Sequence, residues 1–159
     1  LLMMNEKEKN DVPCFDDTNV ERYFNREDVQ NALHVEAKRE WVVCSDEVGD
    51  RYEIQDKGSI WTYPTLIKEG LRILVYSGDT DAVVPFNGNQ AWIHNLKLEI
   101  ESPWRQWRAY GDKNNVSGYV IKYKGLTFCT IKGTGHMAPQ WKPKESYYMF
   151  SQFLIGEDF

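Results

Sequence analysis

The sequence has little of what metal sites and disulfide frameworks require. Its 159 residues include only 3 cysteines and 3 histidines, and no two cysteines form a C-x-x-C pair. We therefore expect no metal site built from closely spaced ligands, and no cofactor. Because Cys14, Cys44 and Cys129 are odd in number, at least one of them is free or pairs outside the chain.

An excess of positive charge and a long apolar run are also missing. The chain carries 24 acidic and 19 basic side chains, a net charge of −5, so we expect no nucleic-acid partner and no membrane partner. No apolar run approaches the roughly 20 residues of a bilayer span, and the initial Leu-Leu-Met-Met is too short for a signal-peptide core. The abrupt change to charged residues after it, without an initiator methionine, suggests a processed segment. With 42% hydrophobic and 14% aromatic residues, the composition predicts one compact domain.

The third absence concerns nucleophiles. The G-x-S-x-G elbow, which exposes a reactive serine at a sharp strand-to-helix turn, occurs nowhere in the chain. The serines that lack this frame are Ser45, Ser59, Ser77, Ser102, Ser117, Ser146 and Ser151. Cys129 lies inside an apolar run, which is a poor place for an exposed thiolate.

The chain does contain an alternation of helical and strand patterns. Residues 1–20 are polar and turn-rich and predict an irregular lead-in, and from Trp41 to Lys57 the periodicity is poor. The other patterns predict helices over 25–35, 61–70, 86–96 and 143–156, and strands over 71–77, 104–110, 118–125 and 126–133. Asn25 is the predicted N-cap of the first helix, and Gly70 ends the second. The apolar run 71–77 is typical of a strand buried on both faces of a parallel sheet, so the order predicts the C-terminal part of an α/β sheet.

Two polar loops follow strands of this predicted sheet. Residues 78–81, "GDTD", follow the run 71–77, and residues 133–136, "GTGH", follow the last strand. In α/β sheets, catalytic groups gather beyond the carboxyl ends of the strands. A general-base histidine needs a carboxylate that fixes its tautomer, and Asp79 or Asp81 could serve His136 in this way.

The residues alone leave two interpretations open. A lone histidine beside glycines is more often a hydrogen-bonded loop residue than a catalytic one, and Asp79 and Asp81 would then be ordinary turn formers. The order of acid before histidine is, however, that of Ser-Asp-His hydrolases. Either His136 is not catalytic, or its serine lies on another chain. For His34 and His94, which lie on predicted helices without a placed carboxylate, we favour a structural role.

The loop sequences resemble a known family. "VYSGDTDAVVP" and "GLTFCTIKGTGHMAP" are similar to the aspartate and histidine regions of the serine carboxypeptidases, which include two-chain plant enzymes and lysosomal cathepsin A. "YFNREDVQNALHV", "WVVCSDEV" and "LIKEGLRILVYSGD" resemble the segments that lead to the same strand, so the resemblance covers roughly residues 12–155. It implies that residues 1–159 are the C-terminal, small-chain portion of one α/β-hydrolase domain. A mixed, mostly parallel sheet flanked by helices would be completed by a larger partner chain.

The resemblance assigns catalytic roles position by position. Asp81 aligns with the catalytic acid, His136 with the general base, and Asp79 with a non-catalytic neighbour of the acid. Met137 aligns with a substrate-binding position on the leaving-group side of the cleft. Thr134 departs from the family's usual small residue, which leaves the triad assignment in place.

The resemblance also implies a setting. Cys14 and Cys44 resemble the cysteines that bridge the small chain to the large one, which leaves Cys129 free and buried. Such bridges form in oxidising compartments, in agreement with a glycosylation sequon at Asn115. A vacuolar, lysosomal or secreted protein that works at acidic pH is the expectation, with homodimers of two-chain units common in the family.

The expected activity is release of C-terminal amino acids from peptides through an acyl-enzyme. One alternative keeps the fold and changes the reaction, since relatives of this kind include acyltransferases and hydroxynitrile lyases. An alternative of another class is a non-catalytic subunit that completes the fold or protects a companion protein.

Overall fold

The computed structural model describes residues 16–35, 39–54 and 58–159. It divides the chain into two compact units, Leu1–Gln55 and Asp56–Phe159. Most of the predicted lead-in lies outside the described residues, and residues 18–20 belong to helix α1 (Thr18–Phe24), so that irregular segment ends earlier than predicted. The single α/β-hydrolase domain over residues 1–159 stays a prediction.

Short helices make up the described part of the first unit. They are α1, α2 (Glu27–Ala32) and α3 (Asp46–Arg51). The N-cap prediction for Asn25 was wrong, because Asn25 follows α1 as its C-cap and Arg26 precedes α2. Asn25 uses its amide in a longer-range contact: it accepts from the Trp41 N–H at 2.7 Å and donates to the Trp41 carbonyl at 2.8 Å.

Helix α3 falls in the stretch where periodicity predicted no regular element. The feature of the sequence that indicates this helix is its N-cap residue and not a periodic pattern of apolar residues. The Ser45 hydroxyl accepts a hydrogen bond from the Val48 N–H at 3.3 Å. Asp46 and Glu47 follow in the first turn, where the helix dipole favours negative charge. Six residues are too few for an apolar stripe to become visible in the sequence.

The second unit is built on a four-stranded sheet. Its strands are β1 (Ile73–Gly78), β2 (Ile100–Trp107), β3 (Gly118–Tyr123) and β4 (Leu126–Ile131), in the order β1-β4-β3-β2. The β1–β4 pairing is parallel, and the β4–β3 and β3–β2 pairings are antiparallel. The predicted mixed sheet is therefore confirmed. Two of its three described pairings are antiparallel, so the mostly parallel character stays a prediction for the complete sheet. Because β1 and β4 run in the same direction, the loops that follow them emerge at the same edge.

Helices cover both faces of this sheet, as predicted for an α/β fold. They are α4 (Tyr63–Lys68), α5 (Phe86–Asn95), α6 (Ala138–Trp141) and α7 (Pro143–Ile155). Side chains alternate between the faces of a strand, so β4 sends Phe128 to a cluster with Ile93 of α5 and Cys129 to a cluster with Met149 of α7. Gly70 ends α4 with φ +84°, as its position in the sequence predicted.

Strand β1 lies at an edge of the described sheet. The prediction that it is buried on both faces was wrong, since Tyr76 is 43% exposed. The N–H groups of Ile73 and Asp79 donate to backbone carbonyls on the β4 side. Parallel strands bond to alternate sides at alternate residues, so Leu74 and Tyr76 direct their N–H and C=O groups toward the open side.

Candidate active site

The loops after β1 and β4 are in close contact. The Asp79 N–H donates to the Ile131 carbonyl at 3.0 Å, and the Thr80 N–H donates to the Thr134 carbonyl at 3.1 Å. Gly78 is required at this crossing, because a Cβ there would overlap the carbonyl oxygens of Thr134 and Gly135. The parallel β1–β4 pairing thus brings together the two segments that sequence analysis singled out.

Asp81 holds His136 with one carboxylate oxygen and the backbone with the other. Its Oδ1 accepts from the Val83 and Val84 N–H groups at 2.8 and 3.0 Å. Its Oδ2 lies 3.0 Å from His136 Nδ1. The carboxylate is therefore oriented by its own turn before it contacts the imidazole, the arrangement that an orienting acid requires.

The environment of Asp81 favours its charged form. The hydrogen bond from the Val84 N–H is the main cause that holds the pKa of Asp81 below its usual range, and the contact with His136 and the bond from the Val83 N–H act in the same direction. Burial opposes this effect and raises the pKa. Because the lowering effects on the pKa prevail, Asp81 is ionised at neutral and mildly acidic pH. Its side chain is only 6% exposed, which shields its contact with the histidine from solvent.

His136 presents its other ring nitrogen to the outside. Its side chain is 56% exposed while Nδ1 faces Asp81. The ring borders a cavity of about 200 Å³ that is lined by Tyr76, Ser77, Gly78, Asp81, Val84, Asn89, His136 and Ala138. With Nδ1 held by a carboxylate, Nε2 is the atom available to take up a proton.

The cavity beside His136 contains no free aliphatic hydroxyl in the part of the chain that the structure describes. Its only serine is Ser77, which is buried and accepts a hydrogen bond from the Asn89 amide at 2.9 Å. Asn89 in turn accepts from the Trp92 ring N–H at 2.8 Å. Ser77 and Asn89 therefore belong to the hydrogen-bonded lining of the cavity beside the Asp81–His136 dyad, and Ser77 is not placed as a free nucleophile.

The remaining predicted site residues are placed as follows. Met137 adjoins His136 in the chain and is exposed. Within the described residues, Cys44 is exposed and Cys129 is buried, and neither forms a disulfide there; Cys14 lies outside the described residues. Burial raises the pKa of the Cys129 thiol, which excludes a thiolate nucleophile there.

The sequon at Asn115 lies in an exposed turn. The Asn115 amide donates to Asp112 Oδ2 at 2.9 Å. The hydroxyl of Ser117, the third sequon residue, is buried and accepts from the Ala109 N–H at 2.9 Å. Glycosylation at Asn115 stays a prediction.

The sequence did not identify the groups that support the dyad. The amides of Val83 and Val84 belong to an aspartate turn, for which the "GDTD" run was a usable signal because such carboxylates bond to amides two or three residues on. No local sequence pattern indicated the contact between Asp79 and Gly133, because 54 residues separate the two. His34 and His94 do not line the cavity beside His136.

The described ranges contain neither a membrane-spanning helix nor a metal centre of closely placed ligands. In 16–35, 39–54 and 58–159, no helix is long and apolar enough to cross a membrane. Over the same ranges, no group of three or more His, Cys, Asp or Glu side chains is arranged to hold a metal ion.

Comparisons with known proteins agree with the motif resemblance. Residues 1–156 match the family model described as serine carboxypeptidase. The chain is 39% identical over 149 residues to serine carboxypeptidase 24 of Arabidopsis thaliana, covering 92% of this chain and 31% of that protein. It is 38% identical over 150 residues to serine carboxypeptidase 1 of Hordeum vulgare, covering 91% of this chain and 29% of that protein. The chain thus spans about 30% of the length of these relatives.

A solved structure shows the same fold. The crystal structure of Kex1(Δ)p, a prohormone-processing carboxypeptidase from Saccharomyces cerevisiae, superposes on this chain with a TM-score of 0.64 at 24% identity. The superposition covers 86% of this chain and 31% of the yeast protein. The mixed sheet and its flanking helices are therefore part of the α/β-hydrolase fold, as predicted.

Proposed function

The chain belongs to the serine carboxypeptidase family, and from that membership we propose that it supplies the aspartate and the histidine of a Ser-Asp-His triad. One observation carries the proposal: Asp81 Oδ2 lies 3.0 Å from Nδ1 of a histidine whose ring is 56% exposed. The serine belongs to a larger segment that is not part of this chain. The assembled enzyme releases C-terminal amino acids from peptides.

In the proposed reaction, the contact between Asp81 and His136 supports the following roles. His136 Nε2 takes the proton of the serine hydroxyl as its oxygen attacks the scissile carbonyl carbon, and the imidazolium that forms is stabilised by the Asp81 carboxylate. Collapse of the tetrahedral intermediate breaks the C–N bond, and His136 returns the proton to the leaving amine. Water then attacks the acyl-enzyme with His136 again as base, which releases the shortened peptide and restores the serine.

Exposed apolar surface supports the proposal of a covering segment. Val83 and Met137 are exposed beside the dyad. Between β1 and α7, a cavity of about 360 Å³ has Tyr76, Tyr147 and Phe150 among its lining residues. Unpaired strand edges and contiguous apolar patches are typical of surfaces that another polypeptide covers. We assign this surface to the segment that carries the serine.

The proposed partner is the larger N-terminal chain of the same precursor, linked through Cys14 and Cys44. Cys44 is exposed and has no partner in the described residues, which leaves its sulfur accessible to another chain. Disulfides of this kind persist in oxidising compartments. We therefore propose a vacuolar, lysosomal or extracellular location.

The proposal is tested on protein isolated in its active form. A serine-directed phosphonate should label a second, larger chain, and reduction should release this chain without the label. Full activity in a sample that contains only this chain would contradict the proposal.

A substrate panel distinguishes the reaction from its alternatives. Blocked dipeptides should lose their C-terminal residue, and acyl-glucose esters and cyanohydrins should be poor substrates. Efficient acyl transfer or cyanohydrin cleavage would be compatible with the triad but would contradict the proposed carboxypeptidase reaction. An inert sample that still binds a companion protein would favour the non-catalytic role.

A further inference from the structure

Asp79 links the loop that carries His136 to the turn that follows β1 and contains Asp81. Its Oδ1 accepts from the Gly133 N–H at 2.7 Å, a shorter distance than those of the backbone hydrogen bonds from Asp79 to Ile131 and from Thr80 to Thr134, which are 3.0 and 3.1 Å. Gly133 has φ +72°, a left-handed conformation that directs this N–H toward the carboxylate at little steric cost. The bond adds a side-chain link where the β1–β4 ladder ends at Ile131.

Before His136, the side chains of residues 132–135 make no hydrogen bond to any described part of the chain that could anchor the histidine loop. The Thr134 side chain is buried, and its hydroxyl makes no hydrogen bond within the described residues. The loop is instead held through backbone groups, by the bond from Thr80 to the Thr134 carbonyl and by the bond from Gly133 to Asp79. Of these two, only the second depends on a side chain that can be changed without altering the backbone.

The two aspartates hold this loop at two points. Asp79 bonds to Gly133 and Asp81 contacts His136, so the carboxylates of one short turn hold positions three residues apart on the other loop. Together with the backbone bond from Thr80 to Thr134, these two contacts fix the position and the orientation of the imidazole, and loss of either one gives the loop room to shift. Triad chemistry is sensitive at this scale, because a misplacement of about 1 Å costs about 100-fold in rate.

We propose that Asp79 is a positioning residue for His136, a role that rests on the proposed function. It acts through the Gly133 backbone and contacts neither the substrate nor the reacting atoms. The Asp79→Ala substitution leaves the Gly133 N–H without its partner and lets the His136 loop shift. The Asp79→Asn substitution keeps an oxygen that can accept the same bond.

The kinetic test uses the assembled enzyme. Asp79→Ala should lower kcat about 10- to 100-fold with KM nearly unchanged, and should slow phosphonate labelling of the serine by a similar factor. Asp79→Asn should stay within about fivefold of the wild type. Asp112→Ala is the matched control, because Asp112 also accepts from backbone amides, at 2.8 and 3.3 Å, in a turn that does not line the His136 cavity.

A spectroscopic test separates this inference from the proposed function. In assembled protein with this chain labelled with ¹⁵N, the His136 Nδ1 proton should give a downfield signal in the wild type and in Asp79→Asn, and a lost or strongly shifted signal in Asp79→Ala. That outcome with an inactive wild type would retain the positioning role and reject the carboxypeptidase proposal. An unchanged signal and unchanged kcat in Asp79→Ala would overturn the positioning role.

Discussion

The two units of the chain are stabilised by different kinds of contact. The second unit, Asp56–Phe159, buries large side chains fully on both faces of its sheet: Ile93, Trp107, Val120, Leu126, Phe128, Cys129 and Ile131. In the described part of the first unit, Leu1–Gln55, only Val29 and Gln30 are buried. Apolar side chains such as Tyr52 and Ile54 are 72% and 85% exposed there.

Side-chain bonds to the backbone take the place of a core in the first unit. The Asn25 amide bonds both the N–H and the C=O of Trp41, and the Gln30 amide donates to the Phe24 and Arg39 carbonyls at 3.1 and 3.0 Å. Such a bond contributes about 1 kcal/mol net, whereas burial of a phenylalanine side chain contributes about 1.5–3 kcal/mol. The candidate active site therefore lies in the second unit, which has its own hydrophobic core.

The largest expected effect is on catalysis and belongs to the second unit. His136→Ala should lower kcat/KM of the assembled enzyme by about 1,000-fold or more, because the general base is removed. His94→Ala, on the exposed side of α5, is the control and should leave kcat/KM within about twofold of the wild type, as expected of a surface substitution. Turnover of His136→Ala above a tenth of the wild-type rate would reject the triad assignment.

The next effect is on stability. Phe128→Ala should lower the free energy of unfolding by about 3–5 kcal/mol, because the Phe128 side chain is fully buried and its removal leaves a cavity in the core. Tyr52→Ala in the first unit should change it by less than about 0.5 kcal/mol, because that ring is largely exposed. Urea denaturation followed by tryptophan fluorescence measures both, and equal effects would remove the contrast between the units.

A smaller and local effect is expected from the amide bonds of the first unit. Asn25→Ala should weaken the stretch around Trp41 by about 1–2 kcal/mol, because two exposed hydrogen bonds, each of which contributes about 1 kcal/mol, are lost. Hydrogen exchange should accelerate at Trp41 while the β4 amides keep their protection. Asn31→Ala, exposed on α2, serves as the control. Loss of protection in β4 would mean that the units unfold together.

The smallest effect is a dependence of stability on pH. The lowered pKa of Asp81 adds stability that is fully present above its unfolded value of about 3.9 and is lost as the pH falls through the folded pKa. The gap in Tm between the wild type and Asp81→Asn should therefore narrow below about pH 4. A gap that stays constant with pH would contradict this.

Salt distinguishes this site from an ion pair of the first unit. Asp28 also has a lowered pKa, mainly through its hydrogen bond with Arg26, but the Arg26 and Asp28 side chains are 56% and 65% exposed. Salt at about 1 M should abolish any stability difference between the wild type and Asp28→Asn, and should leave most of the Asp81→Asn difference. Equal salt sensitivity would show that Asp81 is as accessible to solvent as Asp28.

The sequence was informative where patterns are long. Helices α5 and α7 and strands β1 to β4 lie within or close to the predicted segments, because their apolar residues are numerous enough to show a period. Helix α4, which is no longer than α3, was located by the glycine that ends it, Gly70. The short helices α1 and α3 were not predicted. The N-cap assigned to Asn25 failed because cap preferences are local, whereas its partner Trp41 lies 16 residues away.

The sequence by itself determined the family, the order of acid before histidine and the absence of a serine elbow, since these are properties of residue identity and spacing. The choice of Asp81 over Asp79 as the partner of His136 was implied by the resemblance, and the structure has this contact. Only the tertiary structure decided that Asp79 bonds to Gly133 and that β1 has an open edge in the described sheet. The physical reason is that these contacts follow from parallel pairing between β1 and β4. A bond of about 3 Å between segments more than 50 residues apart leaves no trace in local periodicity.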